Sequence, residues 1–193
     1  MFFNKKIKGL ICYFDLVEFW DSRLSNQDRK TLLDLFGDNL ITGDWTTSQT
    51  KIGFFSDIIG YMKKTELYEL GLKILNEGDK YCQDSKKIVD LHFYYQGKIE
   101  FFYRFREIGN NLNCAIQACL DQISIAPKVV VAFKNDYKNE PLPVHVGFIQ
   151  LAIIKEKQKD YIGAIEICQE AKRQGWREDW VTRILRLNKR ISK

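Results

Sequence analysis

The chain has 193 residues, 45% hydrophobic and 28% charged, with 12 glycines and only three prolines. That balance belongs to a folded globular chain with material for a sizeable core, and it excludes a disordered or low-complexity one. The net charge of +5 is unevenly placed: residues 172–193 hold eight basic side chains against Glu178 and Asp179, which puts +6 there and −1 in all that precedes.

In chain order, Ile11, Phe14, Leu16, Val17, Phe19 and Trp20 give a wide apolar face and predict a first helix over 8–23. Asp15 and Glu18 interrupt this run, so neither a bilayer span nor a cleaved leader is expected from it. Ser25, with Asp28 three residues on, has the form of a capping box. It should open a helix carrying Leu32, Leu33, Leu35 and Phe36, and Gly37 should stop it. Residues 38–50, rich in Gly, Asp, Asn and Thr, read as a loop holding Trp45. Helices are expected over 52–64 and 66–81, with Asp84 or Ser85 capping the next.

That next stretch, 88–108, is the most aromatic. Ile88, Leu91, Tyr95, Ile99, Phe102 and Phe105 recur at steps of three and four, and Tyr94, Phe101 and Ile108 widen the stripe. A helix apolar on more than one side needs neighbours on both, so it is placed at the centre of the fold. Gly109, Asn110 and Asn111 make a turn, 112–125 returns antiparallel, and Pro127 is expected just past the helix end. All three prolines, Pro127, Pro141 and Pro143, fall between Ala126 and Val144, and 128–144 is expected to be a connection. A helix pair follows within 144–174, and a last helix from Glu178 or Asp179 turns Trp180, Ile184, Leu187 and Ile191 inward.

In the 144–174 pair, Phe148, Leu151 and Ala152 precede Tyr161, Ala164, Cys168 and Ala171, with the small residues where two backbones would come closest. This spacing resembles the tetratricopeptide repeat. A second copy follows from Ala-Ile-x-x-Cys ending at Cys119, echoed at Cys168, although Tyr103 stands where that copy's first helix should have a small residue. The two cysteines are 49 residues apart against a repeat of about 34, and the proline-bearing connection is expected to supply the excess. Segments 151–158 and 174–180 also resemble bacterial proteins of this repeat type, which implies a bacterial, cytoplasmic setting.

The resemblance implies an all-α fold: antiparallel helix pairs in a tetratricopeptide-like α-solenoid, a right-handed superhelix of about seven to nine helices. Residues 1–84 would form an irregular N-terminal helical region, 85–178 the helix pairs with an insertion near 128–144, and 179–193 a capping helix, all in one continuous domain. It also implies a non-catalytic adaptor, scaffold or regulatory subunit that binds a protein or peptide along the first helices of each pair. By position the groove residues are Glu100, Arg104 and Glu107 from one helix and Ile149, Ile153, Glu156 and Lys157 from the other. Ile149 and Ile153 stand where the family's carboxylate-clamping polar side chains would be, so a more apolar peptide, a neighbouring domain or a second copy of the chain is expected. The alternative is contact with nucleic acid or an acidic partner through Arg183, Arg186, Lys189 and Arg190, although a capping helix needs such a solvated face anyway.

Catalytic signatures are missing from the sequence. There is no phosphate-binding, dinucleotide, nucleophile-elbow or zinc-protease motif. The five cysteines lack ligand spacing and sit in apolar register, so they read as reduced, buried thiols, with neither metal nor cofactor expected. His92 reads as a hydrogen-bonded core histidine and His145 as a capping or packing residue at a helix start.

Overall fold

The aromatic stripe becomes helix α6, Ile88–Arg104, with neighbours on both sides as its two apolar faces require. A computed structural model describes residues 7–83, 85–138 and 140–192. Every regular element among them is helical. The α-helices are α1 (Gly9–Tyr13), α2 (Val17–Ser22), α3 (Asn26–Phe36), α4 (Lys51–Tyr61), α5 (Tyr68–Gly78), α6, α7 (Asn111–Asp136), α8 (Val146–Lys157), α9 (Tyr161–Gln174) and α10 (Trp180–Ile191). Short 3-10 turns occupy Asp38–Leu40, Thr65–Leu67 and Asp79–Tyr81. The all-α class is as expected. The α-helices number ten because the first expected helix is two.

That split has a local cause. Asp15 adopts a left-handed conformation (φ 54°), its N–H donates to the Cys12 carbonyl, and Leu16 N–H donates to Ile11. This is the paired bonding of a Schellman stop, usually built on glycine. The apolar side chains still face inward from both pieces, with Ile11, Phe14, Leu16, Phe19 and Trp20 buried. At Ser25 the capping box forms in full: Asp28 N–H donates to Ser25 Oγ (3.1 Å) and Ser25 N–H to Asp28 Oδ2 (2.8 Å). Gly37, at φ 80°, ends α3. The expected cap of α6 differs. Asp84 lies outside the described residues, Lys87 is the N-cap, and the Ser85 hydroxyl donates to the Lys87 carbonyl.

The larger correction concerns Pro127. Instead of following a helix end, it lies inside α7, which continues eleven residues beyond the expected stop at Ile125, to Asp136. A proline inside a helix removes one hydrogen bond and costs about 3 kcal/mol. Here Pro127 is on the exposed face, where water can satisfy the carbonyl left without a donor, while Ala126 and Val129 on the other face are fully buried. Val130 and Phe133 continue that inward face, so apolar burial carries the helix through the proline. Most of the expected 128–144 connection is therefore helix.

The core has two main clusters. One joins α1–α6 with the start of α7, and the other joins the far half of α7 with α8, α9 and α10. Ile99, Ala118, Cys119 and Leu151 bridge them where α6, α7 and α8 meet. Ala152 and Ala164 are fully buried between α8 and α9, and Trp180 and Leu187 seat α10 on the same cluster. Ile191 is 48% exposed, not inward. By length and composition α7 could cross a bilayer, but its Ala115, Ala118, Cys119, Gln122 and Ala126 face is packed within the fold.

Candidate functional site

Both histidines of the chain meet in one buried cluster. His92 comes from the second turn of α6 and His145 is the N-cap of α8, and their relative exposures are 1% and 0%. Their ring centroids are 5.0 Å apart. Trp176 stacks on His92 at 5.8 Å and meets His145 edge-on at 4.6 Å. Trp176 follows Gly175, which ends α9 at φ 85°, a conformation that suits glycine.

Gln122 of α7 holds the histidine elements together. Its Nε2 donates to the His92 carbonyl (2.9 Å), and its Oε1 accepts from Gly147 N–H (2.7 Å). A Cβ at Gly147 would stand 2.7 Å from that oxygen, so any larger residue there has to displace it.

The hydrogen bonds fix a tautomer. His145 Nδ1 accepts from Phe148 N–H at 3.3 Å, so the ring proton belongs on Nε2. That Nε2 and His92 Nδ1 are both buried with no hydrogen-bond partner among the described residues. Burial lowers the pKa of His92 to about 4 and that of His145 to about 3, the latter helped by repulsion from His92. At neutral pH both rings are uncharged. The buried thiols are equally quiet, since burial raises Cys119 to about 12 and Cys168 to about 11. Against the expectation that all five are buried, Cys12 is exposed and Cys82 and Cys114 are only half-buried.

Against the outer wall of this cluster lies a cleft of about 250 Å³ lined by Phe93, Phe133, Tyr137, Glu140, Pro141, Leu142 and Pro143. Phe93 projects from the start of α6 and Phe133 from the end of α7, and the proline-bearing segment closes the far side. Arg177 N–H donates to the Pro143 carbonyl (3.2 Å) and ties that segment to the turn after α9. Phe93 and Tyr137 remain 44% and 59% exposed.

The residues expected to form a groove are spread over several neighbourhoods. Glu100 and Arg104 are exposed beside Ile59 and Gly60 of α4 and Met62 and Lys63 just after it. Glu107 is exposed in the turn after α6 and pairs with Arg106 (3.2 Å). Ile149 is half-buried on the second core cluster and Ile153 is half-buried. Glu156 accepts from Arg186 of α10 (2.6 Å), and Lys157 donates to the Tyr103 hydroxyl (2.9 Å). In the basic helix, Arg183 also pairs with Glu178 (3.7 Å), and Lys189 and Arg190 are exposed. Among the described residues no group of three or more His, Cys, Asp or Glu is arranged to hold a metal ion. Tyr94 is buried and donates to Asp79 Oδ1 (2.9 Å).

Sequence reasoning missed the cleft. The one signal for it was the clustering of Pro141 and Pro143 near the short apolar run that contains Phe133. No protein-family model, curated protein or solved structure matches this chain.

Proposed function

We propose that this chain is a non-catalytic module that binds another protein or a peptide, with α6–α9 acting as two repeat-like helix pairs of the tetratricopeptide kind and α10 as their cap. The observation that supports it best is the cleft at Phe93 and Tyr137. Two large aromatic side chains stand about half in water beside an apolar depression, although the same chain buries most of its other rings. Exposed aromatic anchors beside a pocket are the side chains from which protein contacts draw most of their energy. The neutral, buried histidines and high-pKa thiols behind the cleft suit a rigid wall better than a proton-transfer centre. Nucleic-acid contact through α10 has less support, since Arg183 and Arg186 are already paired with carboxylates.

The test is capture on immobilised protein, comparing wild type with Phe93→Ser/Tyr137→Ser and with Arg104→Glu/Lys157→Glu, each checked for unchanged helicity. Loss of a saturably bound protein with the first variant supports the cleft. Loss only with the second moves the contact to the α6 and α8 surface. Retention by both rejects these two surfaces, and no saturable protein on wild type rejects the binding-module reading.

A further inference from the structure

The cleft has a specific chemistry. Phe93 and Phe133 have ring centroids 6.4 Å apart and planes 78° apart, and Phe133 and Tyr137 stand 6.5 Å apart at 42°. All three rings line the one cleft, so a cation seated in it meets an aromatic wall, and a cation is drawn to a ring face over ~6 Å. Phe133 also meets His92 and Trp176 edge-to-face, at 6.1 and 6.3 Å, so buried neighbours hold that wall in place. Glu140 is the one charged side chain among the described residues that line the cleft. Lys134 and Lys138 are exposed near it but do not line it.

We infer that this cleft, walled by Phe93, Phe133 and Tyr137 with Glu140 at its rim, receives the quaternary ammonium group of a trimethylated lysine in a bound peptide. A primary ammonium or a metal ion is strongly hydrated and needs several oxygen partners, and the lining offers one carboxylate. A quaternary ammonium has no N–H to satisfy, presents methyl groups to aromatic and proline surfaces, and keeps a diffuse positive charge for the ring faces and Glu140. The openness of the cleft selects the source. A free small ligand is usually enclosed over most of its surface. A site that leaves Phe93 and Tyr137 half exposed suits a side chain whose remaining burial comes from the peptide that carries it. This assignment rests on the protein-binding reading above, but its chemistry can be tested without any natural partner.

The experiment titrates the full chain, followed by NMR of the aromatic resonances, with tetramethylammonium chloride and with sodium chloride as control. Short peptides identical except for lysine, trimethyl-lysine or its uncharged tert-butyl isostere follow. Tetramethylammonium should saturably shift Phe93 and Tyr137 where sodium does not. The trimethyl-lysine peptide should bind at least about tenfold more tightly than either other peptide. Phe93→Leu and Tyr137→Leu, which keep apolar bulk but remove a ring, should each lose about tenfold, and Glu140→Gln severalfold. Equal binding of the uncharged isostere, or no saturable response to tetramethylammonium, overturns the cation assignment even if a protein partner is captured elsewhere on the chain. Tetramethylammonium binding as tightly as the peptide overturns the peptide as its source.

Discussion

Lowering the pH from 7 to 5 should destabilise this protein by about 4 kcal/mol, through His92 and His145 alone. In the unfolded chain each imidazole takes up a proton as the pH falls through about 6.5. In the fold, burial prevents this until about pH 4 for His92 and about pH 3 for His145. Between these limits the unfolded state binds more protons. Stability is therefore complete above the unfolded value and is lost as the pH falls toward the folded ones. Each histidine contributes a slope of about 1.36 kcal/mol per pH unit, so the 1.5 units from 6.5 to 5 cost about 2 kcal/mol apiece. The carboxylates held low by hydrogen bonds, including Asp28, Asp160, Glu170 and Asp179, lose their contribution only below the ordinary carboxylate range, outside this window. Urea unfolding at pH 7, 6 and 5, followed by circular dichroism, measures the effect. The comparison is His92→Phe/His145→Asn, in which asparagine retains a side-chain acceptor at the N-cap. Its pH dependence should shrink to below about 1 kcal/mol over the same range, with the single variants between. A wild-type loss under about 1 kcal/mol, or an unchanged slope in the double variant, would refute the reasoning.

Three further outcomes are expected. Gly147→Ala should destabilise by about 1–3 kcal/mol, seen as a lower melting temperature, because its Cβ displaces the Gln122 oxygen that joins α7 to α8. Pro127→Ala should stabilise by about 1–3 kcal/mol in the same assay, since it restores a donor inside α7 at an exposed position. With a thiol-specific chromophore, Cys12 should react quickly in the native protein while Cys119 and Cys168 react only after denaturation.

Periodicity was a good guide wherever a helix ends by a rule that residue type reveals. Ser25 with Asp28, Gly37 and Asp179 mark observed boundaries, and Asp160 and Gly175, which the sequence reading passed over, obey the same rules, because caps depend on short polar side chains and left-handed stops favour glycine. Asp15 and Lys159 adopt the same left-handed geometry without being glycine, at φ 54° and 64°. Both side chains are exposed, and paired backbone hydrogen bonds hold the turn in each case (Asp15 N–H to Cys12 with Leu16 N–H to Ile11, and Lys159 N–H to Glu156 with Asp160 N–H to Lys155), which no residue type announces. Pro127 errs in the opposite direction. A local rule called for a stop, and apolar residues on the opposite helix face overrode it, because burial of Ala126, Val129 and Phe133 outweighs one missing hydrogen bond. Reading α7 as ending at 125 also hid the candidate cleft. Only a helix that runs on to Asp136 brings Phe133 back beside Phe93, forty residues earlier in the chain.

The histidine pair and the cleft share walls, and that connection separates two roles for the buried rings. His92 meets Phe133 at 6.1 Å with the ring planes perpendicular, and Phe133 also lines the cleft. If the histidines matter only as neutral packing groups, then His92→Phe/His145→Asn keeps the wall in place. The acid sensitivity should then disappear while tetramethylammonium still binds at pH 7 as it does to wild type. If the histidine-to-aromatic contacts also set the angle of Phe133, the same variant should weaken that binding while remaining folded. The fixed geometry at His145, with Nδ1 accepting from Phe148 N–H and Gln122 anchoring the next turn, favours the first outcome. The asparagine replacement preserves the cap, and the phenylalanine replacement preserves an edge for Phe133 to meet.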